Sequence, residues 1–379
     1  MTTARTSLQL QSTLQSDGKL TLSLAQVNVP PPGANEVTVR VDAAPINPSD
    51  LWLMLAGADF GQASVSGSPA EPVVTAQVPA PLLRSMQARF GVAMPVGNEG
   101  AGVVIAAGSS AAAQALLGKK VAMAAGAMFS QLRTVGLEQC LPLPDDVTAA
   151  EGASAFVNPL TALSMVETMR REGHHALVHT AAASNLGQML QRLCLKDGIE
   201  LVNVVRRPEQ EQLLRGLGAK HVVRSESPEF MNELVAAVTA TGATLGFDAI
   251  GGGKLAGQIL TAMEAAASAK AKTYSRYGSS THKQVYIYGN LDPGPTQLGR
   301  NFGLAWGVGG WLLMPAMQKF GAEAAQAMRA RVVRELKTTF ASHYTGQLSL
   351  AEALSLEQIG RYSKASTGQK VLLTPNAER

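Results

Sequence analysis

Apolar residues follow two rhythms along this chain. Up to about residue 155 they alternate with polar neighbours, as half-buried strands require. Valines alternate in EVTVRVDA, GAGVVIAAG and KKVAMAAG read as further strands, and turn residues recur at PPPG, NPSD and AAGSS. Residues 61–95 are rich in Ser, Ala, Pro and Gly, with one helix-capable piece, APLLRSMQARF. Such a stretch predicts a long insertion or lid.

Beyond residue 155 the period becomes helical and then mixed. Pro159 opens a helix whose inner face is Leu160, Leu163, Val166 and Met169, and Gly173 ends it. Short apolar runs then alternate with helical stretches: ALVH, a helix from Leu186, ELVNVV, PEQEQLLRGLGA, HVV, EFMNELVAAVT, TLGFDAI, a helix over 254–267, and QVYIYG. This alternation predicts an α/β unit with a doubly wound parallel sheet. Residues 265–283, with three lysines and SRYGSS, predict an exposed loop. One long helix is expected over 314–340, and the tail GQKVLLTP returns to strand character.

Residues 176–207 are the richest segment. The first apolar run leads into AAASNLG, and a helix follows with Leu186, Met189, Leu190, Leu193 and Cys194 on one face. Ser184 and Asn185 are N-cap candidates. A helix N-terminus with its free N–H groups is a docking point for a pyrophosphate. The dinucleotide fingerprint GxGxxG falls on Ala182, Ser184 and Gly187, so only its last glycine is kept, the one that lets helix and strand pack closely. An ordinary βαβ turn is the alternative. The second strand decides for a cofactor: an NAD site has Asp or Glu at its end, whereas Arg206 and Arg207 stand here. A guanidinium can grip a 2′-phosphate with two parallel hydrogen bonds, and a carboxylate would repel it. The pattern therefore points to NADPH; the bland alternative is a solvated pair of loop arginines.

Composition narrows the field. The chain has 379 residues, 46% hydrophobic and 16% charged, enough for two domains. A net charge of +4, from scattered basic residues, together with 5% aromatics, argues against a nucleic-acid surface. Two cysteines, Cys140 and Cys194, are too few for a disulfide framework or a structural zinc lobe. MTTARTSLQL has no apolar core, so no signal peptide is expected, and the uncharged stretch FGLAWGVGGWLLMPAM reads as a buried strand and the start of a helix. The expectation is a cytoplasmic protein with no membrane or nucleic-acid partner.

Several motifs occur in one order: APINPSDL (44–51), PVGNEGAGVV (95–104), VNPLTAL (157–163), AASNLG, NVVRRP (203–208), DAIGG (248–252), YIYG (286–289) and TGQKVLL (367–373). As an ordered set they make the chain resemble the medium-chain dehydrogenase/reductase superfamily, in its zinc-independent NADPH:quinone oxidoreductase branch. It is also similar to mitochondrial-type 2-enoyl thioester reductases. The resemblance implies a GroES-like β-rich domain, residues 1–155 with 340–379, and a Rossmann NADPH-binding domain, residues 156–339, with the active site in the cleft between them. Relatives are dimers or tetramers, and a homodimer is expected.

The resemblance also implies roles. Zinc-dependent relatives place Cys and His ligands where this chain has Asn47 and Asn98, and a later Cys or Asp where it has VNPLT. Amides do not supply thiolate or imidazole, so no metal is expected, and Glu99 is left with a structural task. Asn47 should touch nicotinamide or substrate; otherwise it shapes the turn before Pro48. Thr161 is expected beside it as a catalytic residue, and Asn158 beside nicotinamide and ribose; otherwise both serve the helix start around Pro159. Ala182, Ser184, Asn185, Leu186 and Gly187 would form the pyrophosphate turn. Ile250, Gly251, Tyr288 and Gly289 would line the cofactor, with Tyr288 as plain core the alternative. Lys370 matches a tail lysine that reaches the cofactor phosphate, or is a surface lysine.

One departure bears on the reaction. Enoyl thioester reductases carry a proton-donating tyrosine in the loop after the NPSD-like motif, and here that loop offers only Phe60. Tyr274 and Tyr277, in the loop before YIYG, could substitute only if that loop folds over the cleft. His174 and His175, at a helix end, and His179, in a strand, read as structural. The expected function is an NADPH-dependent reductase of quinones or activated alkenes, taking a small-molecule quinone or enone. The alternatives are a 2-enoyl thioester reductase and a non-catalytic NADPH-binding protein.

Overall fold

The computed structural model describes residues 5–364 and 370–377. Thr367, Gly368 and Gln369, which open the TGQKVLL motif, lie outside them. The chain forms two compact units, residues 1–157 with 333–379 and residues 158–332.

The first unit is built on two sheets. In one, Arg5–Leu14 and Lys19–Val29 form a hairpin turned through Gly18 at φ +88°. Pro72–Gln77, Asp59–Gly67 and Ala93–Pro95 complete it. Much of the stretch 61–95 is regular structure: Asp59–Gly67 pairs antiparallel with Pro72–Gln77. Pro72, Val74 and Ala76 turn inward while their neighbours stay wetter, and the small polar residues of the outer strand hide that alternation in the sequence. APLLRSMQARF breaks into the short helix Ala80–Leu83 and a 3₁₀ turn, Gln87–Arg89.

The second sheet centres on Glu36–Pro45, whose Val37, Val39 and Val41 are fully buried. It pairs with Gly100–Ala107 and Leu132–Gly136, and the strand Val371–Leu373 returns from the far end of the sequence to set Leu372 opposite Pro45 and Leu373 opposite Ala44. Two elements leave this frame toward a common interior point. Asn47 begins the helix Pro48–Leu55, and Glu99 precedes Gly100–Ala107.

The second unit contains a six-stranded, all-parallel sheet. Its order is His221–Arg224, Glu200–Val205, Ala176–His179, Leu245–Asp248, Lys283–Ile287 and Trp306–Gly310. The chain winds outward from Ala176–His179 to one edge, then returns to its other side. That is the doubly wound Rossmann order, with its switch point between Ala176–His179 and Leu245–Asp248. Ile259, Met263, Val285, Phe302 and Phe230 pack on one of its faces.

Two local expectations are corrected. The helix over 314–340 is two helices, Leu313–Phe320 and Ala322–Glu335, parted at Gly321 with φ +90°, a value that ends helical hydrogen bonding. Residues 265–283 are not all exposed loop. The helix Leu255–Ala269 runs further, and Lys283 is fully buried, with Nζ 2.5 Å from Glu264 Oε2. Glu264 also accepts from the backbone N and Oγ of Ser279 at 2.7 Å each, so the intervening segment is tied down at its base. No helix among the described residues is long and apolar enough to cross a membrane.

Candidate functional site

The switch point of the parallel sheet has a built polar centre. Asp248, fully buried, ends its strand and accepts from Thr180 Oγ1 at 2.7 Å, Ile250 N at 3.0 Å and Gly251 N at 3.2 Å. Thr180 Oγ1 in turn accepts from Ala249 N at 2.8 Å. One carboxylate thus joins the loops that follow two adjacent strands, and it draws Ile250 and Gly251 to the carboxyl end of the sheet. Asp248 was visible in the sequence only as the first letter of DAIGG.

The turn after Ala176–His179 is as tight as its small residues suggest. Ala181 sits at φ +48°, a left-handed value uncommon for a residue with a Cβ. Ala182 is buried, and Ser184 caps the helix Asn185–Asp197 by accepting from Gly187 N at 3.2 Å. Asn185 is therefore the first helical residue and Ser184 the cap. A Cβ on Gly187 would lie 2.1 Å from the Ala182 carbonyl oxygen, so the surviving fingerprint glycine is required by close packing. Leu186 is buried beneath it.

Across the switch point, Gly289 and Gly251 bring two backbones together. A Cβ on Gly289 would meet the Ala249 carbonyl oxygen at 2.5 Å, and one on Gly251 would meet the Gly289 oxygen at 2.9 Å. Tyr288 is half-buried, and its hydroxyl lies 2.7 Å from His179 Nε2, the two rings stacked with centroids 5.8 Å apart. Burial pushes the His179 imidazole down to about 3, so it stays neutral. His174 is also buried, with Nδ1 2.7 Å from Thr244 Oγ1.

At the end of Glu200–Val205 the arginines are exposed. Gln210 Oε1 accepts from the backbone N–H of both Arg206 and Arg207 at 2.9 Å, which fixes the backbone at this strand end. Arg206 Nε lies 3.7 Å from Glu226 Oε1. Asn158 and Thr161 are on the helix Val157–Arg171, Asn158 half-buried and Thr161 buried.

The first unit holds a second polar cluster, built on the buried side chains of Asn47, Asp50 and Glu99. Asn47 Nδ2 donates to Glu99 Oε1 at 2.9 Å, and Glu99 Oε2 accepts from Phe156 N at 3.0 Å and Val157 N at 2.9 Å. Asp50 accepts from Asn47 N and Asn98 N, both at 2.8 Å. Lys370 completes the set. Its stem is partly open, but Nζ is enclosed, without a hydrogen-bond partner, 5.8 Å above the Tyr344 ring. Burial pushes Lys370 down to about 8 against the pull of Glu99 and Asp50, and burial pushes Asp50 up to about 7. Asp50 escaped the sequence reading: inside NPSD it looks like an ordinary turn acid.

The donor set of this cluster does not suit zinc. The Asn47 amide nitrogen is committed to Glu99, and the Asn98 amide nitrogen donates to Ser49 Oγ at 2.9 Å. Among the described residues no three of His, Cys, Asp and Glu gather in a way that could hold a metal ion. Phe60 packs on the core of the first unit, while Tyr274 and Tyr277 are exposed at 93% and 54%.

With the geometry in view, the chain can be compared with known proteins. No family model matches it. It is 32% identical over 219 residues to the mitochondrial enoyl-[acyl-carrier-protein] reductase of Xenopus tropicalis, covering 54% of this chain and 52% of that one. The human mitochondrial enoyl-[acyl-carrier-protein] reductase is 28% identical over 209 residues, covering 52% and 48%. The chain thus spans about half the length of the relatives it matches. A crystal structure of a putative NADPH:quinone reductase from Mesorhizobium loti superposes with a TM-score of 0.74 at 26% identity, covering 99% of this chain and 100% of that one. The expected fold, a GroES-like unit with a Rossmann unit, is the one found. Fold and sequence likeness together bear out the resemblance to the medium-chain dehydrogenase/reductase superfamily.

Proposed function

We propose that this protein is an NADPH-dependent reductase that delivers a hydride to a quinone or an activated alkene, without zinc. NADPH supplies the hydride when bound, and quinones and conjugated carbonyls accept it without a Lewis acid. The observation that carries the reading is the pair Arg206 and Arg207, exposed beyond the second strand where an NAD site would place an acid. The close packing of Gly187 on Ala182 supports it, because a larger residue there would spoil the tight turn at the helix N-terminus, where a pyrophosphate docks.

In this reading Ala182, Ser184, Asn185, Leu186 and Gly187 hold the pyrophosphate, and the arginines hold the ribose 2′-phosphate. Ile250, Gly251, Tyr288 and Gly289 line the cofactor, and Asn158 meets nicotinamide and ribose. Asn47 and Thr161 face nicotinamide or substrate. Lys370 is the counter-charge to Asp50 and Glu99; its enclosed ammonium is not carried over as a phosphate ligand. Zinc is left out because the amides of Asn47 and Asn98 offer no thiolate or imidazole.

A second reading, 2-enoyl thioester reduction, is favoured by the identity to enoyl-[acyl-carrier-protein] reductases. NADPH oxidation with a panel of quinones and with crotonyl thioesters separates the two. Turnover of quinones is expected. Turnover of thioesters alone selects the second reading, and tight NADPH binding with neither reaction marks a nucleotide-binding module. Metal analysis of the purified protein should find far less than one zinc per chain.

A further inference from the structure

Arg206 and Arg207 are not equivalent. The Arg206 guanidinium is engaged by Glu226, with Nε 3.7 Å from Oε1 and side-chain exposures of 58% and 68%. Arg207 is exposed and, among the described residues, has no ion-pair partner. Glu226 is brought here by strand pairing. His221–Arg224 runs parallel to Glu200–Val205 with Arg224 opposite Val205, and Ser225 N donates to the Val205 oxygen at 2.7 Å. The next residue is Glu226. Two neighbouring strands therefore bring Arg206, Arg207 and Glu226 to the same carboxyl edge of the sheet, where Arg224 is engaged by Glu211, with Nε 3.1 Å from Oε2.

We propose that Glu226 sets the nucleotide preference: it occupies Arg206 as an internal anion that a ribose 2′-phosphate must displace, leaving Arg207 as the guanidinium that makes first contact. The proposal rests on the NADPH reading above. Carboxylate and phosphate compete for the same donors, and they repel one another as the phosphate arrives. A ribose without the phosphate meets no such competition, and its 2′-hydroxyl can donate to a carboxylate. Glu226 thus weakens NADPH while leaving NADH unharmed, which narrows the gap between them.

The test is calorimetric titration of the full chain with NADPH and NADH. Adenosine 2′,5′-bisphosphate and adenosine 5′-monophosphate serve as fragments that isolate the ribose end. Glu226→Gln should tighten NADPH and the bisphosphate by about two- to fivefold at low salt, the range open to an exposed ion pair. NADH and the monophosphate should not tighten, and the gain should shrink at high salt. Arg207→Ala should weaken NADPH more than Arg206→Ala, and Glu226→Gln should gain less when Arg206 is already alanine. Unchanged or weaker NADPH binding in Glu226→Gln, with the arginine variants still selective for NADPH, overturns the role of Glu226 alone. Arginine variants that weaken NADPH and NADH equally overturn the NADPH reading itself. Because Glu226 is exposed, unaltered thermal melting of the Gln variant is the expected control.

Discussion

The Asn47 side chain is oriented by Glu99. Its Nδ2 donates to Glu99 Oε1 at 2.9 Å, and its Oδ1 is buried with no partner. Glu99 Oε2 is taken up by the N–H groups of Phe156 and Val157, which leaves Oε1 to accept from the amide nitrogen of Asn47. The free pole of Asn47 is therefore an acceptor. This suits contact with an N–H or O–H group and does not suit stabilising an oxyanion.

Removing Glu99 should accordingly cost both fold and alignment. Glu99→Ala removes the carboxylate that accepts from Asn47 Nδ2, Phe156 N and Val157 N, and the loss of a buried acceptor is worth about 1–3 kcal/mol. Urea denaturation should show a drop at least that large. Glu99→Gln should fall less in stability yet lose NADPH-oxidation rate, because its amide no longer dictates which way Asn47 turns. A Gln variant with wild-type rate would show that Asn47 orientation does not matter to turnover.

The fingerprint turn makes a steric prediction. Gly187→Ala places a methyl group 2.1 Å from the Ala182 carbonyl oxygen, and that atom belongs to the backbone. Overpacking of this kind costs about 1–3 kcal/mol. The melting temperature should fall, and NADPH should raise it by less than in the wild type. Equal stabilisation by NADPH in both proteins would remove the turn from the binding site.

Buried charge gives the third prediction. Lys283 and Glu264 form an enclosed pair, and breaking one by removing a single partner costs about 3–5 kcal/mol. Lys283→Met should show that loss in chemical denaturation. Adding Glu264→Leu should recover part of it, although Ser279 and Ser268, which also bond Glu264, lose their acceptor. A double variant less stable than the single one would show that these serines outweigh the ion pair.

Stability should also depend on pH through the Asn47 cluster. Asp50 is raised from 3.8 to about 7, so the folded state binds its proton more tightly than the unfolded one. Its contribution is complete below the unfolded value and is lost as pH rises from about 4 to about 7. Lys370 is lowered from 10.5 to about 8, so its contribution is complete above the unfolded value and is lost as pH falls from about 10.5 to about 8. Denaturation across pH should show the first slope vanish in Asp50→Asn and the second vanish in Lys370→Met. Persistence of both slopes in the variants would assign them to other groups.

The parallel sheet was legible because each strand is a short apolar run bounded by a helix of clear period, as from Leu186 to Cys194. Ser184, Gly187, Arg206 and Arg207 could be singled out because the fingerprint fixes their spacing. What stayed hidden depends on contacts distant in sequence. Asp248 and Asp50 act through backbone N–H groups that no local pattern announces, and Lys283 looks like loop charge until Glu264 meets it. The hairpin of Asp59–Gly67 and Pro72–Gln77 was masked by small polar residues on its wetter strand. Gly321 broke an expected helix through one backbone angle.

The closing strand of the first unit has a consequence for biosynthesis. Val371–Leu373 pairs with a strand that left the ribosome more than three hundred residues earlier. The inserted α/β unit is meanwhile complete in sequence by residue 332. It can fold during translation, while the older half waits with an unfilled seam. A nascent chain arrested shortly before residue 370 should therefore resist protease over 158–332 and be cut within the N-terminal half.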